Sequence, residues 1–150
     1  MSKPVPFTTT LEVRDACLCL HAQRAARALA RRFDEALRPL GLTNGQFSLL
    51  MALNRPEPPR LGAVAALLAM DRTTLTAALK PLERDGLATS EADPADRRSR
   101  RLRLTEPGEA LLARAVPVWR ALHGAVEAEL AAMPGLPPAG ALRAALRALS

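Results

Sequence analysis

The stretch from Asp71 to Gly108 constrains this 150-residue chain more than any other part of it. Leu75, Ala78, Leu79 and Leu82 recur at i, i+3, i+4 and i+7, the spacing that lays one apolar stripe of a helix against a core. Asp71 stands where an N-cap is needed. Asp85-Gly86 stands where the helix should stop, because glycine takes the left-handed conformation past a helix end without steric cost. At about 100° per residue, Thr73, Ala77, Lys80 and Arg84 point away from the stripe, with Thr74 and Thr76 on its flanks. Further on, Arg100 to Leu104 alternates arginine with leucine, the period of a strand with one buried and one cationic side. Leu87 is expected to open the strand before it. The intervening Asp93-Pro94-Ala95-Asp96-Arg97-Arg98-Ser99 has the chemistry of a loop.

Upstream, Leu61, Val64, Leu67 and Leu68 predict a short amphipathic helix, and Ala69 and Met70 a tight turn into the next. Helix, turn, helix and two short strands make a winged helix-turn-helix, so the fold class is mainly α with a small β-wing. That shape points to double-stranded DNA. Threonine hydroxyls at 73, 74 and 76 can approach base edges, and Lys80 can reach phosphates. Arg97 and Arg98 at the tip of the wing suit the minor groove, where narrow walls concentrate negative potential, and Asp96 is expected to orient one of them. Arg72 and Arg100 complete the candidate DNA-contacting set. Pro81 is expected to bend the helix or to end it near Lys80, since it lacks an N–H and crowds the carbonyl of Ala77.

In order along the chain, Gly86-Leu87, Asp93-Pro94, Asp96-Arg97-Arg98, and Leu104-Thr105 with Gly108 resemble the GL, DPxDRR and LTxxG elements of the MarR family of transcription regulators. Gly41-Leu42-Thr43 and Gln46 resemble the helix that precedes them there. The resemblance runs from about Leu11 to Ala132. It implies an obligate homodimer reading a pseudo-palindromic operator, with residues 43–104 as the DNA-binding lobe and 11–40 and 107–150 as dimerisation helices, all in one domain spanning 1–150. Thr73, Thr74, Thr76 and Lys80 match recognition-helix positions, and Arg97 and Arg98 match the wing. It also implies a repressor released by a small aromatic or phenolic ligand held between the lobes, with Trp119 available to stack on it.

The remaining segments fit this plan. Thr10 is expected to cap a long helix from Leu11 toward Arg38 that ends at Pro39 and Gly41, with the first ten residues an extended arm. Thr43 should cap the next helix, and prolines 56, 58 and 59 stiffen the loop after it. A helix from Thr105 toward Ala132 is expected to kink or break at Pro117. Leu142, Ala145, Leu146 and Leu149 predict a last amphipathic helix.

Lys and Arg outnumber Asp and Glu by 21 to 15, a net +6 that favours a polyanionic partner. No signal peptide or membrane-spanning run is apparent, which predicts a cytoplasmic location and no membrane partner. Cys17 and Cys19 are candidates for a thiol-based oxidant switch, although buried small hydrophobes is the plainer reading of both. Cys17 and His21 share a helical face that Cys19 does not, so the three are not expected to chelate one ion, and neither a metal nor another cofactor is expected. Phosphate loops, zinc-protease motifs and serine elbows are missing from the sequence, which argues against an enzyme. A winged-helix module that binds protein is the remaining alternative.

Overall fold

The computed structural model describes residues 4–150. Helices α1 (Phe7–Ala16) and α2 (Leu18–Leu37) lead through a short 3-10 turn (Arg38–Leu40) into α3 (Asn44–Leu53), α4 (Leu61–Leu67) and α5 (Arg72–Arg84). An antiparallel hairpin of β1 (Ala88–Asp93) and β2 (Asp96–Leu104) follows, and α6 (Glu106–Ala131) and α7 (Ala139–Ala148) close the chain. Among the described residues no single helix is long and apolar enough to cross a membrane.

The N-terminal helix differs from expectation. It starts at Phe7, so Thr10 lies inside α1 and not at its cap, and little of the expected arm remains; residues 1–3 lie outside the described residues. The long helix is also broken at Cys17, whose extended backbone (φ −72°, ψ 106°) ends α1 and caps α2, its Sγ accepting from the Leu20 N–H at 3.4 Å. At the far end of α2, Gly41 takes φ 71° and turns the chain toward α3. Thr43 caps α3 as expected, its hydroxyl accepting from the Gln46 N–H while the Gln46 side chain accepts from the Thr43 N–H.

Helices α4 and α5 meet at a bend of 103°, the geometry of a helix-turn-helix. Ala69 supplies the turn with φ 52°, a left-handed conformation that costs a residue with a Cβ about 1–2 kcal/mol. Val64 and Ala65 carry the buried face of α4, whereas Leu67, expected on that face, is 57% exposed. In α5, Leu75, Leu79 and Leu82 are buried as the periodicity predicts.

Neither internal proline interrupts its helix: α5 runs through Pro81 to Arg84, and α6 through Pro117 to Ala131. The backbone carbonyls that each ring deprives of a donor belong to Ala77 and Ala113, both exposed residues whose carbonyls water can serve.

The core is one cluster built from Leu37, Leu42, α3, α4, α5, the hairpin and the first half of α6, where Leu112 and Ala115 are buried. Arg60 bridges to Arg101, and Leu102 N–H donates to the Pro59 carbonyl at 2.9 Å. The proline-rich loop is thereby fastened along the outer edge of β2, a pairing that its composition does not announce.

Candidate nucleic-acid interface

Asp71 holds the first turn of α5. Its Oδ1 accepts from the Thr74 N–H at 2.7 Å and its Oδ2 from the Thr74 hydroxyl at 2.8 Å. These bonds, the backbone one foremost, keep the Asp71 carboxyl below its ordinary pKa. The Thr74 hydroxyl proton is therefore committed to the cap. Thr76 donates its own to the Arg72 carbonyl at 2.8 Å, which leaves its methyl and acceptor lone pairs for a ligand. Arg72, Thr73, Thr76, Ala77 and Lys80 line one shallow depression along the outer face of the helix. The guanidinium of Arg72 leans over α4, close enough that a Cβ on Gly62 would sit 3.3 Å from its terminal nitrogen. Of the helical candidates, all but Thr74 present free polar groups on this face.

The wing is tighter than the sequence suggests. Strand β1 begins at Ala88, not Leu87, and β2 begins at Asp96, so the turn is Pro94-Ala95 and the expected long loop is mostly strand. The register runs from Ala88↔Leu104 to Ala92↔Arg100, then slips to pair Asp93 with Asp96. Arg97 and Arg98 fall in that slip, exposed, with no carboxylate in ion-pair range among the described residues. Asp96 does not orient either guanidinium: its Oδ1 accepts from the backbone N–H of Arg98 at 3.0 Å. Arg100 reaches across the hairpin to the hydroxyl and carbonyl of Ser90.

The residue that organises the wing is Asp93, which sequence reasoning treated as turn chemistry. It is only 1% exposed. Arg60 Nε lies 2.9 Å from Oδ2, Arg101 Nε lies 3.2 Å from Oδ1, and Ala95 N–H donates to Oδ1 at 3.0 Å. The Ala95 N–H first, then Arg101 and Arg60, hold its carboxyl below the usual carboxylate range. Arg101, expected on the solvent side, is half-buried and also donates to the Pro58 carbonyl at 2.9 Å. Only the hairpin register brings Arg60 and Arg101 to one carboxylate, so residue spacing carried no signal for it.

A second corner fixes the wing to α6. The Thr105 hydroxyl donates to the Gly86 carbonyl and accepts from the Gly108 N–H, while Thr105 N–H donates to the Leu87 carbonyl at 3.1 Å. A Cβ on Gly108 would lie 2.0 Å from that carbonyl oxygen. This close approach explains why threonine and glycine stand three residues apart here.

Behind the interface, Phe47, Met51, Leu67, Val116, Trp119 and Arg120 line a cavity of about 470 Å³ between α3, α4 and α6. Trp119 stacks with Phe47 at a centroid distance of 6.3 Å and with His123 at 4.7 Å. Arg120, which sequence reasoning passed over, is the cation in the lining. Neither cysteine lines this cavity. Cys17 is half-buried at the α1–α2 junction, and Cys19 is exposed with its Sγ accepting from Gln23 Nε2 at 3.2 Å, so the expectation that both are buried does not hold. The His21 ring engages the Cys17 carbonyl at 2.8 Å. Among the described residues no three His, Cys, Asp or Glu side chains converge as metal ligands.

The MarR family model matches residues 42–99. The organic hydroperoxide resistance transcriptional regulator of Bacillus subtilis is 31% identical over 101 residues, which is 67% of this chain and 69% of that protein. The transcriptional regulator MosR of M. tuberculosis, solved in complex with DNA, is 38% identical with a TM-score of 0.77, over 89% of this chain and 92% of MosR. BpsR of Bordetella bronchiseptica, described for regulation of its DNA binding by 6-hydroxynicotinic acid, is 26% identical with a TM-score of 0.74, over 98% of this chain and 97% of BpsR.

Proposed function

The chain belongs to the MarR family and is a DNA-binding transcription regulator, and from that premise we propose that it is a homodimeric repressor reading a pseudo-palindromic operator. Helix α5 enters the major groove with Arg72, Thr73, Thr76 and Lys80, and the wing sets Arg97 and Arg98 into the adjacent minor groove. The observation that carries this reading is the pairing of the polar face on α5 with two exposed arginines, without an ion-pair partner among the described residues, on a hairpin anchored by Asp93. Thr74 belongs to the cap of α5 and Arg100 to the hairpin, so both support the surface more than they read bases.

The second copy is called for by apolar surface that one chain leaves open. Phe7 and Leu18 are each 71% exposed and Leu149 is 72% exposed, all on helices α1, α2 and α7 or their ends. A two-fold pairing through these helices would present two α5 helices to successive major grooves.

Titrating the protein by fluorescence anisotropy against its own upstream intergenic DNA, with a scrambled duplex beside it, tests the reading. Arg97→Ala and Arg98→Ala are each expected to weaken binding and to reduce its salt slope by about 1. Thr73→Ala and Thr76→Ala are expected to cost about 1–3 kcal/mol at particular base pairs. Unchanged affinity in all four variants would remove this surface from DNA recognition.

The effector site of this reading is the cavity lined by Phe47, Trp119 and Arg120, which fits a small aromatic or phenolic anion, stacked on Trp119 with its charge toward Arg120. BpsR is regulated by such an aromatic acid. Because the cavity touches both α6 and Leu67 at the end of α4, a ligand there would shift the spacing of the α5 helices.

A thiol switch is a second reading, favoured by the placement of Cys17 at the break between α1 and α2, two residues from exposed Cys19. The Bacillus subtilis relative is named for organic hydroperoxide resistance. Cys17→Ser or Cys19→Ser would then abolish oxidant-triggered release of DNA while leaving affinity under reduction unchanged. Release that persists in both variants would exclude the switch.

A further inference from the structure

The stack on Trp119 continues beyond the cavity. His123 stacks on the Trp119 indole, with ring centroids 4.7 Å apart and planes 19° from parallel. Its Nε2 is 3.9 Å from Glu127 Oε1, one helical turn along α6. Glu127 is in turn ion-paired with Arg143 of α7, and that pairing, above all, holds its carboxyl below the ordinary range. A row of side chains thus runs from the cavity wall through His123 and Glu127 to the terminal helix.

We propose that His123 is a proton-operated latch on Trp119: protonated, it is clamped between the Glu127 carboxylate and the indole face, and neutral, it releases both. The imidazolium gains an ion pair and a cation–π contact that the neutral ring lacks, and histidine changes charge within the physiological range. Charged groups surround it on several elements. On α6 these are Glu127 and Arg120. From α7 comes Arg143, already on Glu127. On α2, Arg32 is paired with Glu129. Arg38, in the 3-10 turn, lies near Asp34. Phe47 of α3 brings no charge. Glu127 is therefore the carboxylate within reach of the ring among the described residues. A cation added beside Trp119 also favours an anion in the cavity that Trp119 lines, so the latch ties the cavity to pH. That last consequence rests on the effector reading above, whereas the latch itself does not.

The chain has one tryptophan and two histidines, His21 and His123, so the test is direct. Intrinsic fluorescence of the intact protein is followed from pH 5.5 to 8.5 alongside His123→Gln and His21→Gln. Emission from Trp119 is expected to be quenched on the acid side in a single step, because an imidazolium in contact with an indole quenches it. The step should survive His21→Gln and vanish in His123→Gln. A flat profile, or a step that persists in His123→Gln, overturns the latch. Benzoate, which stays ionised across this range, serves as the probe of the cavity. It should bind about three- to fivefold more tightly at pH 5.5 than at pH 8 in the parent and equally in His123→Gln. Benzoate affinity that is independent of pH in the parent overturns the coupling. An intact fluorescence step with no benzoate binding supports the latch and counts against the effector reading alone.

Discussion

Helices α3 to α5 and the wing bury Leu49, Leu50, Val64, Leu75 and Leu102 to 2% exposure or less. Helices α1 and α7 bury nothing, and α2 buries only Leu37 along its 20 residues. The terminal helices are not polar for all that: Phe7, Val13, Leu142 and Leu146 stay exposed. One chain therefore completes the central lobe by itself, while its ends leave apolar surface uncovered. The wing joins the two regimes, because Asp93 fastens it to the loop before α4 and Gly108 fastens it to α6.

The sharpest way to break this contrast is Gly108→Ala. The new methyl meets a backbone oxygen at 2.0 Å, and that oxygen cannot retreat without dragging the hairpin. A loss of at least about 3 kcal/mol is expected in urea unfolding. Leu75→Ala, at a site with 0% exposure, should cost about 2–5 kcal/mol whatever the protein concentration. Leu146→Ala should behave differently, with a small effect in concentrated protein that grows on dilution as the copies part. Equal, concentration-independent losses at Leu75 and Leu146 would erase the distinction between the two regions.

A pH series sharpens the picture of the wing. The folded-state carboxyl of Asp93 titrates below its unfolded value of about 3.9, so its contribution is complete above that value. It is lost as pH falls through the lower folded value. Asp93→Asn should remove that part of the acid limb of a stability profile and weaken DNA binding at neutral pH; an unchanged acid limb would deny Asp93 its anchoring role. The smallest expected effect is a gain. Ala69→Gly relieves the left-handed turn at the cost of added unfolded-state freedom, for a net stabilisation of about 0.5–1 kcal/mol in the same urea assay.

Much of this was legible from residue order. The stripe of Leu75, Leu79 and Leu82, the caps at Asp71 and Thr43, and the stop at Gly86 each depend on neighbours within a turn or two. Local chemistry misled where solvent decided the outcome. Of the bend or break that Pro81 and Pro117 each allow, the break does not occur, because each faces a carbonyl that water can serve. Leu67 has the spacing of a core residue but lies at the rim of the cavity, which no periodicity reveals.

What the sequence determined by itself is the set of elements and the polar face of α5, since helix periodicity, capping and turn chemistry act over a few residues. Only the tertiary structure decided that Asp93 is the anchor of the wing, that Arg100 is tied across the hairpin, and that Arg97 and Arg98 have no ion-pair partner among the described residues. It also decided that Trp119 both lines a cavity and stacks on a histidine. Each of these depends on strand register or on helices distant in sequence meeting side by side, and a buried carboxylate or a stacked ring is defined by what the rest of the chain brings to it.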